Sequence, residues 1–404
     1  MAVTVKNSFE AVPKGRLPTD ECYKDCVEEV EPEVSALRRR LVWILPTIIT
    51  VAWFLFLMVG GHTERVASNW EAAATMVFGG FVAGSTPQGG GAIAFPVFTK
   101  LLEVPTSAAR SFSLFVQASG MVMASISILL AGRKVDFKAL GLGITGGLTG
   151  FVVGLALLGD SSTPLWDSRI DTDFVKASFT LIVFAVALIV RLISKKPTMY
   201  DSVPSWNYRS IAVMLTLAFA GGVFSSLSGS GSDVLLFVFV VLVAKVDPKV
   251  AIPTSIITMA SVSLLGFLIL GVWHGQLDIA LAGNQVVAIG GTEIDPRPAS
   301  QYDLFGLWLA GAPVVLWFAP VGSWVASRVS TRAVIAFVGL IAFSELLSTA
   351  LFLDALRTNI SLLIFSLVGL LLVWAGVSKI DSLSEWIMRA DDPSEGKGQY
   401  QTTE

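Results

Sequence analysis

The stretch GSTPQGGGAIAFP, residues 84–96, lies inside an apolar run long enough to enter a membrane. Its core at 85–91 holds a proline and three consecutive glycines, which do not continue a helix. A helix that breaks at membrane depth is tolerated only where its backbone is buried in protein or lines a wet cavity. The stretch therefore predicts an interrupted membrane segment.

The chain uses this design a second time, in FSSLSGSGSDVLLF at residues 224–237. A pair of interrupted apolar segments at corresponding places in two halves is the best sequence indication of a transporter binding site. Aligned on their breaks, the two stretches match at three places: Ser85 with Ser225, Gly89 with Gly229, and Gly91 with Gly231.

The composition indicates a polytopic membrane protein. Of 404 residues, 53% are hydrophobic and 15% charged, whereas a soluble protein carries roughly 25% charged residues. Apolar runs of about 20 residues recur along the chain. The net charge of −3 gives no sign of a nucleic-acid partner. Cys22 and Cys26 are the only cysteines, and we interpret them as free thiols in a polar tail without metal or cofactor.

The interrupted segments span residues 72–102 and 211–244, and each allows two interpretations. In the first segment the legs have about 13 and 11 residues, too short to cross a hydrocarbon core of about 30 Å singly. Each segment is therefore either one long broken crossing or a re-entrant hairpin. The hairpin interpretation leaves more Lys and Arg in the inner loops, which the positive-inside rule favours. Full crossings are predicted at 41–59, 105–131, 137–158, 174–193, 248–272, 302–326, 333–352 and 359–377.

The predicted fold is an all-α polytopic membrane protein with two inverted repeats. Each repeat is a re-entrant helical hairpin plus three crossings, and extra first and last helices bring the total to about 8 full crossings plus 2 hairpins. Arg38, Arg39 and Arg40 beside the first crossing place both termini in the cytoplasm, and we expect a multi-pass protein of the plasma (inner) membrane. The predicted units are a cytoplasmic polar tail at 1–37, the first helix and outer loop at 38–70, repeat 1 at 71–208, repeat 2 at 209–358, the last helix at 359–377, and a cytoplasmic polar tail at 378–404.

The motif GSTPQGGGAIAFPVF at 84–98, its echo, and the stretches VPTSAARSFSL at 104–114 and VDPKVAIPTSIIT at 246–258 resemble the sulfite exporter TauE/SafE family. The resemblance covers residues 71–328, approximately, and implies transport of anions, chiefly sulfite and organosulfonates, across a membrane. The second break departs from the motif because it alternates serine with glycine.

The two breaks are the expected substrate site. Helices that begin there present N–H groups without internal partners, and serine and threonine hydroxyls add donors that suit sulfonate oxygens. Alternatively, the glycines serve close packing and the hydroxyls cap helix ends. The candidates are Ser85, Thr86, Gln88, Gly89, Gly90, Gly91, Ser225, Ser228, Gly229, Ser230, Gly231 and Ser232.

Three charged residues in apolar stretches have open interpretations. Arg110 is either a fixed cation for a bound anion or a side chain that snorkels to the outer interface. Asp233 either carries a coupled proton or caps the second leg of its hairpin. Glu345 either relays protons or hydrogen-bonds to a neighbouring helix.

Polar residues on the crossings after each hairpin are expected to hold helices together more than to bind cargo. His62 and His274 fall in predicted outer loops, and the chain shows no catalytic constellation at depth, so no enzyme is expected. The second-tier residues are Ser113, Gln117, Thr254, Ser255 and Thr258.

The sequence thus predicts a secondary transporter, an exporter of sulfite or organosulfonates that works by alternating access. Without a nucleotide-binding motif, its energy comes from a gradient, with proton coupling through Asp233 as the hypothesis. An anion channel of the same fold, or a transporter of another small organic anion, remains the alternative. The expected partners are a small anionic substrate and the lipid bilayer, with no nucleic acid, and a homo-oligomer is left open.

Overall fold

The computed structural model describes residues 36–163, 165–193, 200–277, 303–353 and 355–389. The predictions for the N-terminal tail, including Cys22 and Cys26, and for the end of the C-terminal tail lie outside these residues. The described part is almost entirely helical. A two-stranded antiparallel ribbon pairs β1 (Gly159–Asp160) with β2 (Asp167–Ser168). The predicted all-α polytopic fold class is therefore confirmed.

The first part of the chain forms one long helix and the first interrupted segment. Helix α1 is followed by a short α2 and by α3, which ends at the first break. After the break, α4 continues into a π-helical turn, π1. The bounds are α1 Ala36–Val59, α2 Thr63–Ser68, α3 Trp70–Ser85, α4 Gly91–Pro96 and π1 Val97–Leu101.

Three long helices separate the first break from the second one, and the second interrupted segment then repeats the pattern of the first. Helix α8 ends at the second break, and α9 again continues into a π-helical turn, π2. The bounds are α5 Thr106–Leu130, α6 Phe137–Leu158, α7 Thr172–Ile193, α8 Tyr208–Ser228, α9 Ser232–Val238 and π2 Phe239–Val243.

The remaining helices complete the bundle. Helix α10 ends in a third π-helical turn, π3, and the last helix, α15, is short and amphipathic. The bounds are α10 Pro248–Gly266, π3 Phe267–Trp273, α11 Leu304–Arg328, α12 Thr331–Phe352, α13 Ala355–Thr358, α14 Ile360–Ser378 and α15 Ile380–Met388.

Among the described residues, eight helices are long and apolar enough to cross a membrane. The number equals that of the predicted crossings, but the set differs. The first arm of the second hairpin is included because it has 21 apolar-rich residues, and α7 is not included. The eight are Arg40–Val59, Thr106–Leu130, Phe137–Leu158, Tyr208–Ser228, Pro248–Trp273, Leu304–Arg328, Arg332–Phe352 and Ile360–Ser378.

Both interrupted segments turn back on themselves. Gly79 and Gly90 are 11 residues apart, which in a continuous helix separates them by about 16 Å. A Cβ placed on Gly90 would nevertheless lie 3.2 Å from the carbonyl oxygen of Gly79. In the second segment, a Cβ placed on Gly221 would lie 2.9 Å from the Cα of Ser232. The described geometry is therefore that of two helical hairpins, hairpin 1 (α3, α4 and π1) and hairpin 2 (α8, α9 and π2).

The two hairpins end in the same turn. After π1, the N–H of Val104 donates to Phe98 at 2.8 Å and Glu103 takes a left-handed φ of 53°. After π2, the N–H of Val246 donates to Val240 at 3.0 Å and Lys245 takes a φ of 54°. A positive φ is uncommon outside glycine, so its recurrence at the exit of both hairpins supports a repeat.

The hairpins start at opposite ends of the bundle. Beside the start of α3, Arg65 forms an ion pair with Asp303, where α11 begins, at 2.8 Å. Just before α8, the N–H of Val203 donates to Asp136, which caps the start of α6, at 2.9 Å. Because α5 runs from the first of these ends to the second, the tips approach each other from opposite ends of the bundle.

Each hairpin packs against a long helix of the other half. Gly84 on α3 touches α11 so closely that an added Cβ would lie 1.8 Å from the carbonyl oxygen of Ala319. Gly150 on α6 touches α8, and its Cβ would lie 2.0 Å from the carbonyl oxygen of Phe219. These contacts need glycine because backbone meets backbone, which is the usual role of small residues in membrane helix packing. The two halves therefore interlock.

The C-terminal helix α15 lies across the base of hairpin 2. Ser384 donates to the carbonyl of Val243 at the end of π2, at 2.6 Å. On the other arm, Asn207 just before α8 donates to the carbonyl of Ile387 at 2.8 Å, and the Arg209 guanidinium sits 4.9 Å from the centre of the Trp386 ring. Helix α15 thus joins both arms of the hairpin at their base.

The outer helices α1 and α14 present apolar side chains to the surroundings, as expected for contact with lipid. At the end of the bundle where hairpin 2 starts, Arg133 in the loop before α6 donates to the carbonyl of Ser323 on α11 at 2.6 Å. Burial, together with the nearby Arg328 guanidinium, lowers the pKa of Arg133 to about 10. Exposed apolar side chains on α1 and α14 include Ile48, Phe54, Leu55, Leu367, Leu371 and Trp374.

Candidate functional site

The tip of hairpin 1, residues 86–90, is shaped by local hydrogen bonds. Ser85 donates its hydroxyl to the carbonyl of Phe81 at 2.7 Å, and Thr86 donates to Val82 at 3.1 Å, so both satisfy the last turn of α3. Gly89 takes a left-handed φ of 66°, which reverses the chain. This conformation strains any residue with a side chain, so glycine is needed at this point of the tip.

The tip of hairpin 2, residues 229–231, has a denser network. The hydroxyl of Ser225 accepts from the N–H of Ser232 at 3.0 Å and lies 3.1 Å from the Ser232 hydroxyl. Ser228 donates to the carbonyl of Ser230 at 2.8 Å. The Ser225 and Ser228 hydroxyls therefore act within the hairpin, which is the capping role that the sequence left open as the alternative.

The two tips are in contact. Ser230 donates its hydroxyl to the carbonyl of Gln88 at 3.1 Å. A Cβ added to Gly91 would lie 2.6 Å from the Cβ of Ser230. All polar side chains at both tips are buried, so the tips are closed against each other and a ligand enters between them only if they separate.

Helix α5 completes the junction. Gln117 donates its amide nitrogen to the carbonyl of Gly229 at 2.7 Å and to the carbonyl of Ser113 at 3.1 Å. The sequence ranked Gln117 and Ser113 below the tips, as helix-packing residues. The structure instead places both at the junction of the two hairpins. The available signal was that Ser113 and Gln117 are spaced i, i+4 in the apolar crossing that follows the first break.

Four buried polar atoms at this junction have no hydrogen-bond partner. They belong to Gln88, Gln117 and Asp233, whose exposed fractions are 1%, 2% and 0%. An unpaired buried polar group costs about 1–3 kcal/mol, so a cluster of them is unusual unless a ligand, a proton or water satisfies it. The atoms are Nε2 and Oε1 of Gln88, Oε1 of Gln117 and Oδ2 of Asp233.

Arg110 is buried and does not snorkel, so that alternative is wrong. Its exposed fraction is 1%, because the loop between β1 and β2 covers it. The guanidinium donates to the carbonyls of Trp166 and Leu165 at 2.9 and 2.5 Å, and to Ser226 near the end of α8 at 3.4 Å. A cation beside the last carbonyls of a helix is favourable. The described partners of Arg110 are thus backbone carbonyls, and its part in anion binding stays a prediction.

A second polar cluster lies away from the tips, where hairpin 1 meets α7 and α12. Lys100 on π1 forms an ion pair with Glu345 at 2.5 Å and donates to Thr349 at 2.7 Å. Thr180 on α7 donates to the same Glu345 oxygen at 2.8 Å. Lys100 is buried because Glu345 on α12 neutralises its charge, and Glu345 accordingly hydrogen-bonds to neighbouring helices.

The second-tier residues of α10 contribute to helix packing. Thr254 donates to the carbonyl of Val250 at 2.7 Å and accepts from the N–H of Asp136 at 3.2 Å. Ser255 and Thr258 donate to carbonyls within α10 at 2.9 and 3.1 Å. The bond with Asp136 joins α10 to the start of α6, and the other hydroxyls donate to backbone carbonyls of α10 itself.

Neither histidine approaches the tips. His62 packs beside the Phe56 and Phe305 rings, and His274 lies 3.1 Å from the carbonyl of Thr163. Within the described ranges, no group of three or more His, Cys, Asp or Glu side chains is arranged to hold a metal ion.

Comparison with known proteins gives one match. Residues 72–347 match the family model described as sulfite exporter TauE/SafE, which covers well over half of the chain and includes both hairpins, both tips and Glu345. No curated protein and no solved structure matches the chain. Because the matched region contains the whole tip junction, the resemblance seen in the motifs is confirmed, and the chain belongs to the sulfite exporter TauE/SafE family.

Proposed function

We propose that this protein is a secondary transporter that exports a small sulfur oxoanion, sulfite or an organosulfonate, by binding it between the two hairpin tips. The observation that carries the proposal is the amide of Gln88. It is buried at the contact of the tips, and neither its nitrogen nor its oxygen has a partner. An oxoanion would accept from that nitrogen and remove the cost of leaving it unpaired.

The rest of the proposed site supplies donors once the tips separate. While the tips are in contact, the N–H groups at the starts of α4 and α9 are occupied, because Ala92 donates to Gly89 at 3.3 Å and Ser232 donates to Ser225 at 3.0 Å. While the tips are in contact, the Ser230 hydroxyl donates to the carbonyl of Gln88. Separation of the tips frees this hydroxyl. We assign substrate contact to Ser85, Thr86, Gln88, Gly89, Gly90, Gly91, Arg110, Ser225, Ser228, Gly229, Ser230, Gly231 and Ser232.

The mechanism we propose is alternating access. The hairpins begin at opposite ends of the bundle, so movement of one away from the junction opens the site to one side only. The tips are closed in the conformation described, and every polar side chain there is buried, which favours a carrier over an anion channel of the same fold. A channel would pass anions without saturation or counterflow.

The remaining assignments follow from the same proposal. Two inverted repeats, at 71–208 and 209–358, carry the hairpins, and the protein resides in the plasma (inner) membrane with both termini in the cytoplasm. Membership of a transporter family and the eight apolar helices support an integral membrane protein that contacts lipid and a small anion. Asp233 is the candidate for proton coupling.

The test is a binding screen on the purified protein with sulfite, taurine, isethionate, sulfoacetate and sulfate. A ligand at 100 times its Kd stabilises the folded protein by about 2.7 kcal/mol, which thermal unfolding detects. Gln88→Ala should weaken binding of the selected anion at least tenfold, because it removes an amide donor from the site. Gln276→Ala, at a glutamine near one end of the bundle, is the matched control.

Absence of stabilisation by any of these anions, or equal affinity of the Gln88→Ala and Gln276→Ala proteins, would contradict the proposed site. Saturable flux in proteoliposomes that shows counterflow would separate the carrier from the channel.

A further inference from the structure

Asp233 uses only one of its two carboxyl oxygens. Oδ1 accepts from the N–H of Val234 at 3.0 Å and from the N–H of Gly231 at 3.3 Å. Oδ2 is buried and has no partner. The capping role therefore accounts for half of the carboxyl group and leaves the other half to be explained.

The orientation of the Gln117 amide is determined by its neighbours. Its nitrogen lies 2.7 Å from the carbonyl oxygen of Gly229 and 3.1 Å from that of Ser113. Rotating the amide by 180° would place Oε1 against two carbonyl oxygens, which cannot donate. Oε1 of Gln117 is therefore an acceptor, and it too is buried without a partner.

The two unpaired oxygens converge on Gly89. A Cβ placed on Gly89 would lie 2.6 Å from Oδ2 of Asp233 and 2.7 Å from Oε1 of Gln117. Both oxygens thus face the same point of the hairpin 1 tip, and two acceptors cannot satisfy each other. One proton on Oδ2 changes this, since a carboxylic acid donates one hydrogen bond and amide oxygen accepts it.

Charged side chains of the surrounding elements do not neutralise Asp233 in the described part of the chain. Arg110 on α5 faces backbone carbonyls, and Lys100 on π1 is paired with Glu345. The others lie near helix ends: Lys138 and the capping Asp136 at α6, Asp173 and Lys176 on α7, Arg209 on α8, and Asp247 and Lys249 at α10. None of them forms an ion pair with Asp233 among the described contacts.

We propose that Asp233 carries a proton on Oδ2 while the two tips are in contact, that Gln117 accepts the hydrogen bond from it, and that the proton leaves to water when the tips separate. Gln117 is a positioning residue, held by the carbonyl of Gly229 in hairpin 2 and facing Gly89 in hairpin 1. Tip closure and protonation are thereby one event.

The experiment reads the proton directly by infrared difference spectroscopy on the purified full-length protein. The wild type should show the C=O stretch of a buried carboxylic acid, and Asp233→Asn should lose it. Gln117→Met keeps the size of the side chain without the acceptor and should move the band to higher frequency. A purely structural role of Gln117 would not move this band.

The outcomes separate the two proposals. If the band is present but no anion is transported by the wild type, the proposed function fails and the protonation stands. If the wild type shows no such band, or if the band is unchanged in Asp233→Asn, the protonation proposal is overturned.

Discussion

The two hairpin tips share a backbone plan and differ in what they offer a ligand. The tip of hairpin 1 has a run of glycines and the wholly unpaired amide of Gln88, whereas the tip of hairpin 2 has serines whose hydroxyls mostly bond within the hairpin, followed by Asp233. Hairpin 1 therefore contributes unused hydrogen-bonding capacity and hairpin 2 contributes a rigid frame with one titratable group. A repeated scaffold can thus hold an asymmetric site.

A large effect is expected from a methyl group where the tip of hairpin 2 contacts α5. Gly229→Ala should destabilise the protein by about 2–4 kcal/mol, because the residue has a left-handed φ of 79° and its Cβ would lie 2.6 Å from the carbonyl oxygen of Arg110. Thermal unfolding followed by fluorescence-detected size exclusion would measure this.

Gly141→Ala is the matched control, since no atom lies within 4 Å of a Cβ at that position of α6. It should be neutral or stabilise slightly, by up to about 1 kcal/mol. Equal unfolding temperatures for the two variants would mean that the tip of hairpin 2 is not packed against α5 as described.

The exits of the two hairpins offer the next comparison. Lys100 is the fourth residue of π1, and the fourth residue of π2 is Leu242, so hairpin 2 makes the same turn without a charge. Lys100→Leu should cost about 3–5 kcal/mol, because Glu345 then stays buried without its ion pair.

The double variant Lys100→Leu with Glu345→Leu should recover most of that loss in the same unfolding assay, since replacing a buried ion pair by apolar residues is often neutral. A double variant as unstable as the single one would show that the pair does more than neutralise charge at this position.

The smallest effect compares the first serine of each break. Ser225→Ala should cost about 1–2 kcal/mol, because the hydroxyl accepts from the N–H of Ser232, which then stays buried without a partner. Ser85→Ala should cost less than about 0.5 kcal/mol, because that hydroxyl only donates to an occupied helix carbonyl. A larger loss of stability for Ser85→Ala than for Ser225→Ala would contradict the rigid hydrogen-bond network that we assign to hairpin 2.

The two breaks were predictable from the sequence because glycine and proline act locally. A run of glycines interrupts a helix whatever lies around it, so the breaks and their matching positions followed from residues 84–96 and 224–237. The hairpin interpretation also needed the charges of the loops, and the all-α class needed the apolar runs of the whole chain. The arm lengths were less predictable. Helix α8 has 21 residues and α3 has 16, since tertiary packing against α6 and α11 extends each first arm beyond its apolar core.

The partners of the buried polar groups were not predictable, because they come from distant parts of the chain. Lys100 and Glu345 are 245 residues apart, and Gln117 is oriented by a carbonyl 112 residues away. Each looked like an ordinary interface or packing residue within its own helix. Only the folded chain shows that one pair is neutralised and that the other group is held with an oxygen unpaired.

The attachment of α15 has a mechanical consequence for hairpin 2. Ser384 bonds to one arm of the hairpin, and Asn207 on the other arm bonds to Ile387, so α15 ties the two arms together at their base. If hairpin 2 swings as the proposed mechanism requires, it pivots about that base, and residues 229–231 travel furthest. Helix α15, which lies beyond the family match, thus fixes the point about which the proposed motion turns.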